Sequence, residues 1–191
     1  MYDFCPVIWP EEPTPDDVKA CEECGLYKHG TRMVWGEGNP EAPIIIILDN
    51  PGLREDSKGK QFICGTRQTL QKGVYDAGLT MDDLYVTYIL KRKPTRSYDK
   101  EQTRKICMNH LEQQLKTKDP ALILCLGNVA VRSFFQSPEV DVKTLRGTTH
   151  DVQGYPTTAA YHPLAVRRRP NLEPLFREDL TYAANQYREL R

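Results

Sequence analysis

The pattern of hydrophobic positions divides the chain into short apolar runs separated by longer polar and amphipathic stretches. Three runs, at 44–48, 84–90 and 121–126, are dominated by β-branched and other apolar side chains. Runs of this length and composition are typical of strands that are buried on both faces. A fourth segment, 155–161, completes the set, so the pattern predicts four strands.

Helix-like stretches at 65–77, 100–116 and 128–135 lie between these runs. Strands that alternate with helices of this length indicate a mostly parallel sheet with helices on both faces. We therefore predict an α/β fold, a three-layer α/β/α arrangement around a mostly parallel four-stranded sheet. With 191 residues, of which 39% are hydrophobic, the chain can bury one sizeable core. We expect a single domain over 1–191, with 1–20 as an N-terminal arm.

Composition and charge narrow the class of protein. The 26 basic residues balance the 26 acidic ones, so contacts to phosphate must come from local clusters such as 91–96 and 167–169. No apolar run approaches the roughly 18 residues that span a bilayer. The first 20 residues are acidic and contain four prolines, unlike a signal peptide. We expect a cytoplasmic protein with no membrane contact, whose six cysteines are metal ligands or free thiols.

Polar residues follow the predicted strands at the point where each strand ends. These loops are 49–52, 91–94, 127–128 and 162–163. Ligands of open α/β sheets bind at the carboxyl ends of the strands, where such loops converge. Asp49 and His162, in two of the four loops, are titratable. The loops together predict an active site.

Several motifs occur in the order and at the spacing of one known family. They are Cys21-x-x-Cys24, LDNPG at 48–52, QFICG at 61–65, LYVTYILKRKP at 84–94, Cys107, LCLGNVA at 124–130, LRG at 145–147 and YHPLAVRRRP at 161–170. Over 21–182 the chain resembles the thermostable-type uracil-DNA glycosylases, family four of their superfamily. The resemblance implies a monomeric enzyme that binds DNA. It would hydrolyse the N-glycosidic bond of a flipped-out uracil or altered pyrimidine and leave an abasic site.

The resemblance also implies the catalytic residues. His162 would donate a hydrogen bond to the departing base, which carries negative charge. Asp49 or Asn50 would serve the sugar and its attacking water. The family usually has Glu then Ala before Pro-Gly, whereas Asn in the second place resembles the mismatch-specific and single-strand-selective branches. Which of the two side chains faces the sugar stays open.

Further residues are implied to bind the substrate. Phe62 matches the aromatic ring on which the flipped base stacks, and Gly52 belongs to the loop beside it. Val166, Arg167 and Arg168 match a loop that enters the minor groove. There the two arginines would hold phosphates with little sequence preference.

Tyr88 departs from the family, which has Asn in this strand to read the edge of uracil. A phenol offers one rotatable hydroxyl and cannot by itself reproduce the paired donor and acceptor of an amide. A site that loses its bidentate reader loses discrimination. We therefore expect the base preference to differ from strict uracil specificity.

A second departure concerns metal. The family holds a 4Fe-4S cluster with four cysteines, and Cys21, Cys24 and Cys107 match three of them. Arg92 stands at the remaining position. Cys5 could replace the missing ligand in a cluster. A zinc site completed by His110, one helical turn beyond Cys107, and a chain without metal are the other possibilities.

A catalytically silent member that serves as a DNA-binding or protein-interaction module is the main alternative function. Such a module has no need of Asp49, Asn50, Phe62 and His162 together, so their presence favours the enzyme. A related branch captures DNA covalently through a His in the loop after the second strand. Residues 91–98 contain no His, which argues against that reaction.

Overall fold

A computed structural model of the chain describes residues 4–56 and 63–191. In these residues one sheet contains seven strands, in the order β1-β2-β4-β3-β5-β7-β6. The strands are β1 Glu11–Glu12, β2 Gly36–Gly38, β3 Ile44–Leu48, β4 Leu84–Tyr88, β5 Leu122–Leu126, β6 His150–Val152 and β7 Tyr155–Ala160.

The four predicted strands form the parallel centre of this sheet. Strand β3 pairs in parallel with β4 and with β5, and β5 pairs in parallel with β7. The predicted α/β fold class is therefore confirmed. The sheet is wider than the predicted four strands because β1, β2 and β6 add antiparallel edges. Strands of two or three residues are too short to show a hydrophobic period.

Helices cover both faces of the sheet. They are α1 Leu53–Asp56, α2 Gly65–Asp76, α3 Lys100–Lys118, α4 Asn128–Phe134, α5 Val142–Leu145, α6 Pro163–Arg168 and α7 Glu173–Glu189. Short 3-10 turns lie at Leu26–His29, Met81–Asp83 and Pro170–Leu172. No helix of the described ranges is both long enough and apolar enough to cross a membrane.

The two largest hydrophobic cores of the described residues lie on opposite faces of the sheet. All five residues of β3 are buried. Because successive side chains of a strand point to opposite faces, Ile44 and Ile46 pack with α2 and α7, whereas Ile45 and Ile47 pack with α3 and α4. This double burial explains why β3 is a continuous apolar run. Packing on both faces also holds the carboxyl ends of the parallel strands in place, and the site lies at these ends.

Candidate active site

A cavity of about 460 Å³ lies at the carboxyl ends of β3 and β4, between α1, α2 and α6. Its lining residues are Leu48, Asp49, Asn50, Gly52, Leu53, Glu55, Cys64, Thr66, Arg67, Tyr88, His162, Pro163 and Leu164. Two of the four predicted loops, 49–52 and 162–163, thus contribute to one cavity. The loops at 91–94 and 127–128 do not line it.

His162 is held in one tautomer by its own helix. It caps the N-terminus of α6, and its Nδ1 accepts a hydrogen bond of 3.0 Å from the backbone N–H of Leu164. A nitrogen that accepts carries no proton, so the neutral ring has its proton on Nε2. That Nε2 lies 3.7 Å from Oδ1 of Asp49. His162 therefore presents an N–H donor at the cavity.

Asp49 faces His162, whereas Asn50 folds back on its own loop. Burial raises the pKa of Asp49, but the neighbouring His162 ring and the backbone N–H of Asn50 outweigh burial and lower that pKa below the ordinary value. The side-chain amide of Asn50 donates to the carbonyl of Pro51 at 2.8 Å. Of Asp49 and Asn50, Asp49 is thus the residue that faces the His162 ring, and its carboxyl group is ionised.

Gly127 sets the position of His162. An added Cβ on Gly127 would come within 2.8 Å of the Cβ of His162, and the backbone of Gly127 has φ +90°. Only glycine adopts that φ readily, and only a residue without a side chain leaves room for the His162 ring. The predicted loop at 127–128 therefore packs against His162 and holds it in place, although it does not line the cavity.

Arg67 forms part of the cavity floor, although no motif in the sequence marks it as a site residue. It lies on α2 and is 4% exposed, with its guanidinium directed at Glu37, Glu55 and the hydroxyl of Tyr88. Its spacing to Leu70, three residues later on the buried face, is a helical period that could have marked it as buried. Charged residues are rarely buried, so the charge of Arg67 by itself favours a surface position.

Only some of the predicted substrate-binding residues line the cavity. Gly52 and Tyr88 line the cavity, and Phe62 lies outside the described residues. The guanidinium of Arg167 packs over Gly65 at the N-terminus of α2, and Arg168 is exposed.

Val166 is 5% exposed and packs in the core, so it is not available as a wedge. Its position on α6, one helical turn beyond His162, turns it inward. Leu53 and Leu164 are the exposed apolar side chains that line the cavity instead.

Three of the four cations in the basic cluster at 91–96 serve the fold. Lys91 is fully buried and donates to the Thr87 hydroxyl at 2.6 Å and to the carbonyl of Tyr88 at 3.0 Å. Arg92 and Arg96 donate to backbone carbonyl groups of the N-terminal segment. These three cations therefore have partners within the chain, which leaves 167–169 as the cluster better suited to phosphate.

The candidate metal ligands contact one another in two pairs. The Sγ atoms of Cys24 and Cys107 lie 3.4 Å apart, and Nε2 of His110 lies 3.2 Å from Sγ of Cys21. Among the residues that the structure describes, no three His, Cys, Asp or Glu side chains converge closely enough to hold a metal ion. In the described residues the four side chains therefore form two separate pairs and not one closed four-ligand site.

Cys5 lies in another part of the molecule. The arm that carries it runs along α2, where Val7 and Gln71 exchange hydrogen bonds of 2.9 and 2.7 Å. Helix α2 packs on the opposite face of the sheet from α3, the helix of Cys107. Cys5 is thus not placed to complete a site with Cys107.

Arg92 binds the segment that carries the first two cysteines. One terminal nitrogen of its guanidinium donates to the carbonyl of Thr31, and the other donates to the carbonyl of Lys19 at 3.2 Å. These carbonyls flank Cys21 and Cys24 on both sides. Arg92, which stands where the family has its remaining cysteine, therefore ties this segment to the loop after β4 by hydrogen bonds.

Comparison with known proteins agrees with this geometry. A sequence model described as "Uracil DNA glycosylase superfamily" matches residues 35–187. The chain is 31% identical over 172 residues to a type-4 uracil-DNA glycosylase of Archaeoglobus fulgidus, which covers 85% of this chain and 86% of that protein.

Two further relatives extend the comparison. A type-4 uracil-DNA glycosylase of Saccharolobus solfataricus is 29% identical over 86% of this chain and 80% of its own length. A DNA polymerase of Bacillus phage SP01 is 27% identical over 84% of this chain but only 17% of its own length. The chain belongs to the uracil DNA glycosylase superfamily.

Proposed function

We propose that the chain is a DNA glycosylase that hydrolyses the N-glycosidic bond of a flipped-out uracil or altered pyrimidine and leaves an abasic site. The observation that carries this proposal is the pair of Asp49 and the Nε2–H of His162, 3.7 Å apart on the wall of one cavity. The type-4 uracil-DNA glycosylases among the relatives support the same reaction.

The two residues suit the two electrostatic needs of the reaction. A base inside the duplex is inaccessible, so the nucleotide must first leave the stack and enter the cavity. As the glycosidic bond breaks, the sugar becomes cationic and the base anionic. The carboxylate of Asp49 stabilises the sugar and orients water, and the Nε2–H of His162 donates a hydrogen bond to the base carbonyl next to the broken bond. Asn50, whose amide is bonded within its own turn, keeps the loop in shape.

A panel of oligonucleotides tests the proposed function. Single-stranded and duplex DNA would carry uracil, hypoxanthine, a thymine mismatch or a modified pyrimidine at one position. We expect alkali-labile breaks at that position for a uracil or altered pyrimidine. A silent binding module would retard the same DNA in a gel and give no break with any base.

Replacement of Gly127 by Ala should reduce catalysis by displacing His162. The added Cβ would come within 2.8 Å of the Cβ of His162, so the His162 side chain would have to move. A shift of about 1 Å in a catalytic group can cost ~100-fold in rate. Single-turnover cleavage of a uracil oligonucleotide measures the effect.

Gly154→Ala is the matched control. Gly154 has φ +85°, close to the +90° of Gly127, but nothing lies within 4 Å of its added Cβ. Both variants should lose some stability, and only Gly127→Ala should lose rate beyond its loss of folded protein. Equal rates for the two variants would contradict the proposed role of Gly127.

Removal of Arg167 and Arg168 should weaken DNA binding without changing sequence preference. Phosphate contacts release counterions, so the double Ala variant should also reduce the slope of affinity against salt concentration by up to about two units. Fluorescence anisotropy at several salt concentrations measures both quantities.

Arg132 and Lys143, exposed on the α4 and α5 side, provide a control with the same change in charge. Their double Ala variant should retain the affinity and slope of the wild type. If both double variants behaved alike, the effect would be one of net charge, and the proposed phosphate contacts of α6 would be wrong.

We further propose that the hydrogen bonds of Arg92 hold the N-terminal segment in place, as the family's fourth cysteine would do through a metal cluster. Its two hydrogen bonds to carbonyls span Cys21 and Cys24, and a charged hydrogen bond contributes about 1.5–3 kcal/mol to stability. In the relatives that hold a cluster, metal binding would supply this energy. Glycosidic hydrolysis needs no redox step, so the reaction itself is unaffected.

We expect protein purified without oxygen to contain less than one iron or zinc per chain. Arg92→Ala should lower the free energy of unfolding by about 1.5–3 kcal/mol. Elemental analysis and urea unfolding measure the two quantities. Stoichiometric iron or zinc whose removal by a chelator unfolds the wild type would contradict the proposed role of Arg92.

A further inference from the structure

A buried ionic network forms the floor of the cavity. Nε of Arg67 lies 2.7 Å from Oε1 of Glu37, and its Nη2 lies 3.7 Å from Oε1 of Glu55. The same Nη2 donates a hydrogen bond of 3.0 Å to the hydroxyl of Tyr88. Burial lowers the pKa of Arg67, but the carboxylates of Glu37 and Glu55 outweigh burial and raise it above the ordinary value. Arg67 is thus a permanent cation, and the cleavage step has no direct use for it.

Arg67 determines how the hydroxyl of Tyr88 can act. A guanidinium has only donors, so the phenol oxygen must accept from it, and the phenol's own proton is left for another partner. Burial raises the pKa of Tyr88 well above the ordinary value, so the proton is retained. Because Tyr88 lines the cavity, the floor presents one O–H donor to a bound base.

Glu55 supplies an acceptor near this donor. Its Oε1 approaches the Nη2 atom that also binds Tyr88, and its Oε2 packs against Gly52, where an added Cβ would come within 2.6 Å. The side chain of Glu55 is 8% exposed and lines the cavity. A carboxylate only accepts hydrogen bonds. The floor therefore presents a donor and an acceptor that are held by one buried cation.

We propose that Tyr88 and Glu55, held by Arg67, read the edge of a keto pyrimidine such as uracil. This inference rests on the proposed glycosylase function. Uracil presents the carbonyl O4 beside N3–H, and the Tyr88 hydroxyl donates to O4 while Glu55 accepts from N3–H. His162 is left for O2, the carbonyl next to the glycosidic bond. In the family, one Asn amide would supply both the donor and the acceptor. Here Tyr88 supplies the donor and Glu55 supplies the acceptor.

The same arrangement disfavours cytosine. Cytosine has an amino group in place of O4 and a bare nitrogen in place of N3–H, so the donor of Tyr88 and the acceptor of Glu55 would both lack partners. Buried polar groups without partners cost about 1–3 kcal/mol each. Sites built on hydrogen bonds discriminate strongly for this reason. Tyr88 therefore changes how the base is read and preserves the preference for a keto edge.

Tyr88→Phe tests the inference because it removes one hydroxyl and keeps the ring. Single-turnover rates would be measured on oligonucleotides that carry deoxyuridine or 4-thiodeoxyuridine, whose sulfur is a weak acceptor at position 4. We expect the wild type to prefer uracil. Tyr88→Phe should lower the uracil rate by about 10-fold or more and the 4-thiouracil rate much less, so the ratio of the two rates falls toward one.

Tyr85→Phe is the matched control. Tyr85 is a buried tyrosine of the same strand, but it lies on the other face of the sheet, where its hydroxyl contacts Glu12 and Gln114. Its variant should leave the uracil to 4-thiouracil ratio unchanged. A Tyr88→Phe variant whose ratio equals that of the wild type, even with lower rates on both substrates, overturns the inference. A wild type that cleaves neither substrate overturns the proposed function, and the inference with it.

Glu55→Gln provides an independent measurement. The amide can donate as well as accept, so it can pair with the bare N3 of cytosine. We expect the preference for uracil over cytosine to fall by at least about 10-fold in this variant. An unchanged preference in a folded variant, as judged by its thermal unfolding, contradicts the role of Glu55.

Discussion

Replacement of His162 by Ala should lower the single-turnover cleavage rate by about 10²–10³-fold, the loss seen when one preorganised donor to a developing anion is removed. The hydrogen bond from Nε2 strengthens as charge develops on the base, so the effect falls on the chemical step. DNA affinity should barely change. Rapid-quench kinetics with enzyme in excess, together with anisotropy titrations, separate the two quantities.

His29→Ala is the control for this variant. Nδ1 of His29 also accepts a backbone N–H, that of Thr95 at 3.1 Å, but His29 does not line the cavity. Its removal should cost some stability and leave the cleavage rate unchanged. If His162→Ala retained the rate of the wild type, another donor would have to serve the base, and the Tyr88 hydroxyl is the first candidate.

Replacement of Asp49 by Asn should lower the rate by about 10²–10⁴-fold, the range for loss of a positioned acid–base group. The lowered pKa of Asp49 means that the carboxylate is ionised at neutral pH, so the variant removes a full charge from beside the cationic sugar. Binding should improve slightly, because the variant carries less negative charge near phosphate. The same single-turnover experiment measures the loss.

Asn50→Ala distinguishes the two residues that the sequence could not separate. Its amide donates to the carbonyl of Pro51 in its own turn, so we expect a loss of stability and a loss of rate far smaller than that of Asp49→Asn. The reverse order, with Asn50→Ala slower than Asp49→Asn, would show that Asn50 orients the water. The proposed role of Asp49 would then be wrong.

Much of the fold could be predicted because burial on both faces leaves a clear pattern. The central strands of the structure begin and end within two residues of the predicted runs, as β4 at Leu84–Tyr88 illustrates. The edge strands could not be predicted, since Glu11–Glu12 and Gly36–Gly38 owe their extended shape to the neighbouring strand. Periodicity describes a sheet's interior well and its edges poorly.

The site shows a similar division. Asp49 and His162 could be expected to meet, because both follow strands of a parallel sheet. The partner of each could not, since the Leu164 N–H that fixes the His162 tautomer depends on the first turn of α6. The burial of Lys91 and Arg67 could not be predicted from their charge alone, because each needs a partner that is distant in the chain, Gln114 for Lys91 and Glu37 for Arg67.

The release of free base tests the central claim most directly. Wild type and the double variant Asp49→Asn/His162→Ala would be incubated in excess with a uracil oligonucleotide, and free base and abasic sites counted by chromatography. We expect one free uracil per abasic site from the wild type and no detectable release from the folded double variant in the same time. Base release that persists in the double variant, or a wild type that releases no base, would contradict the assignment of cleavage to this pair.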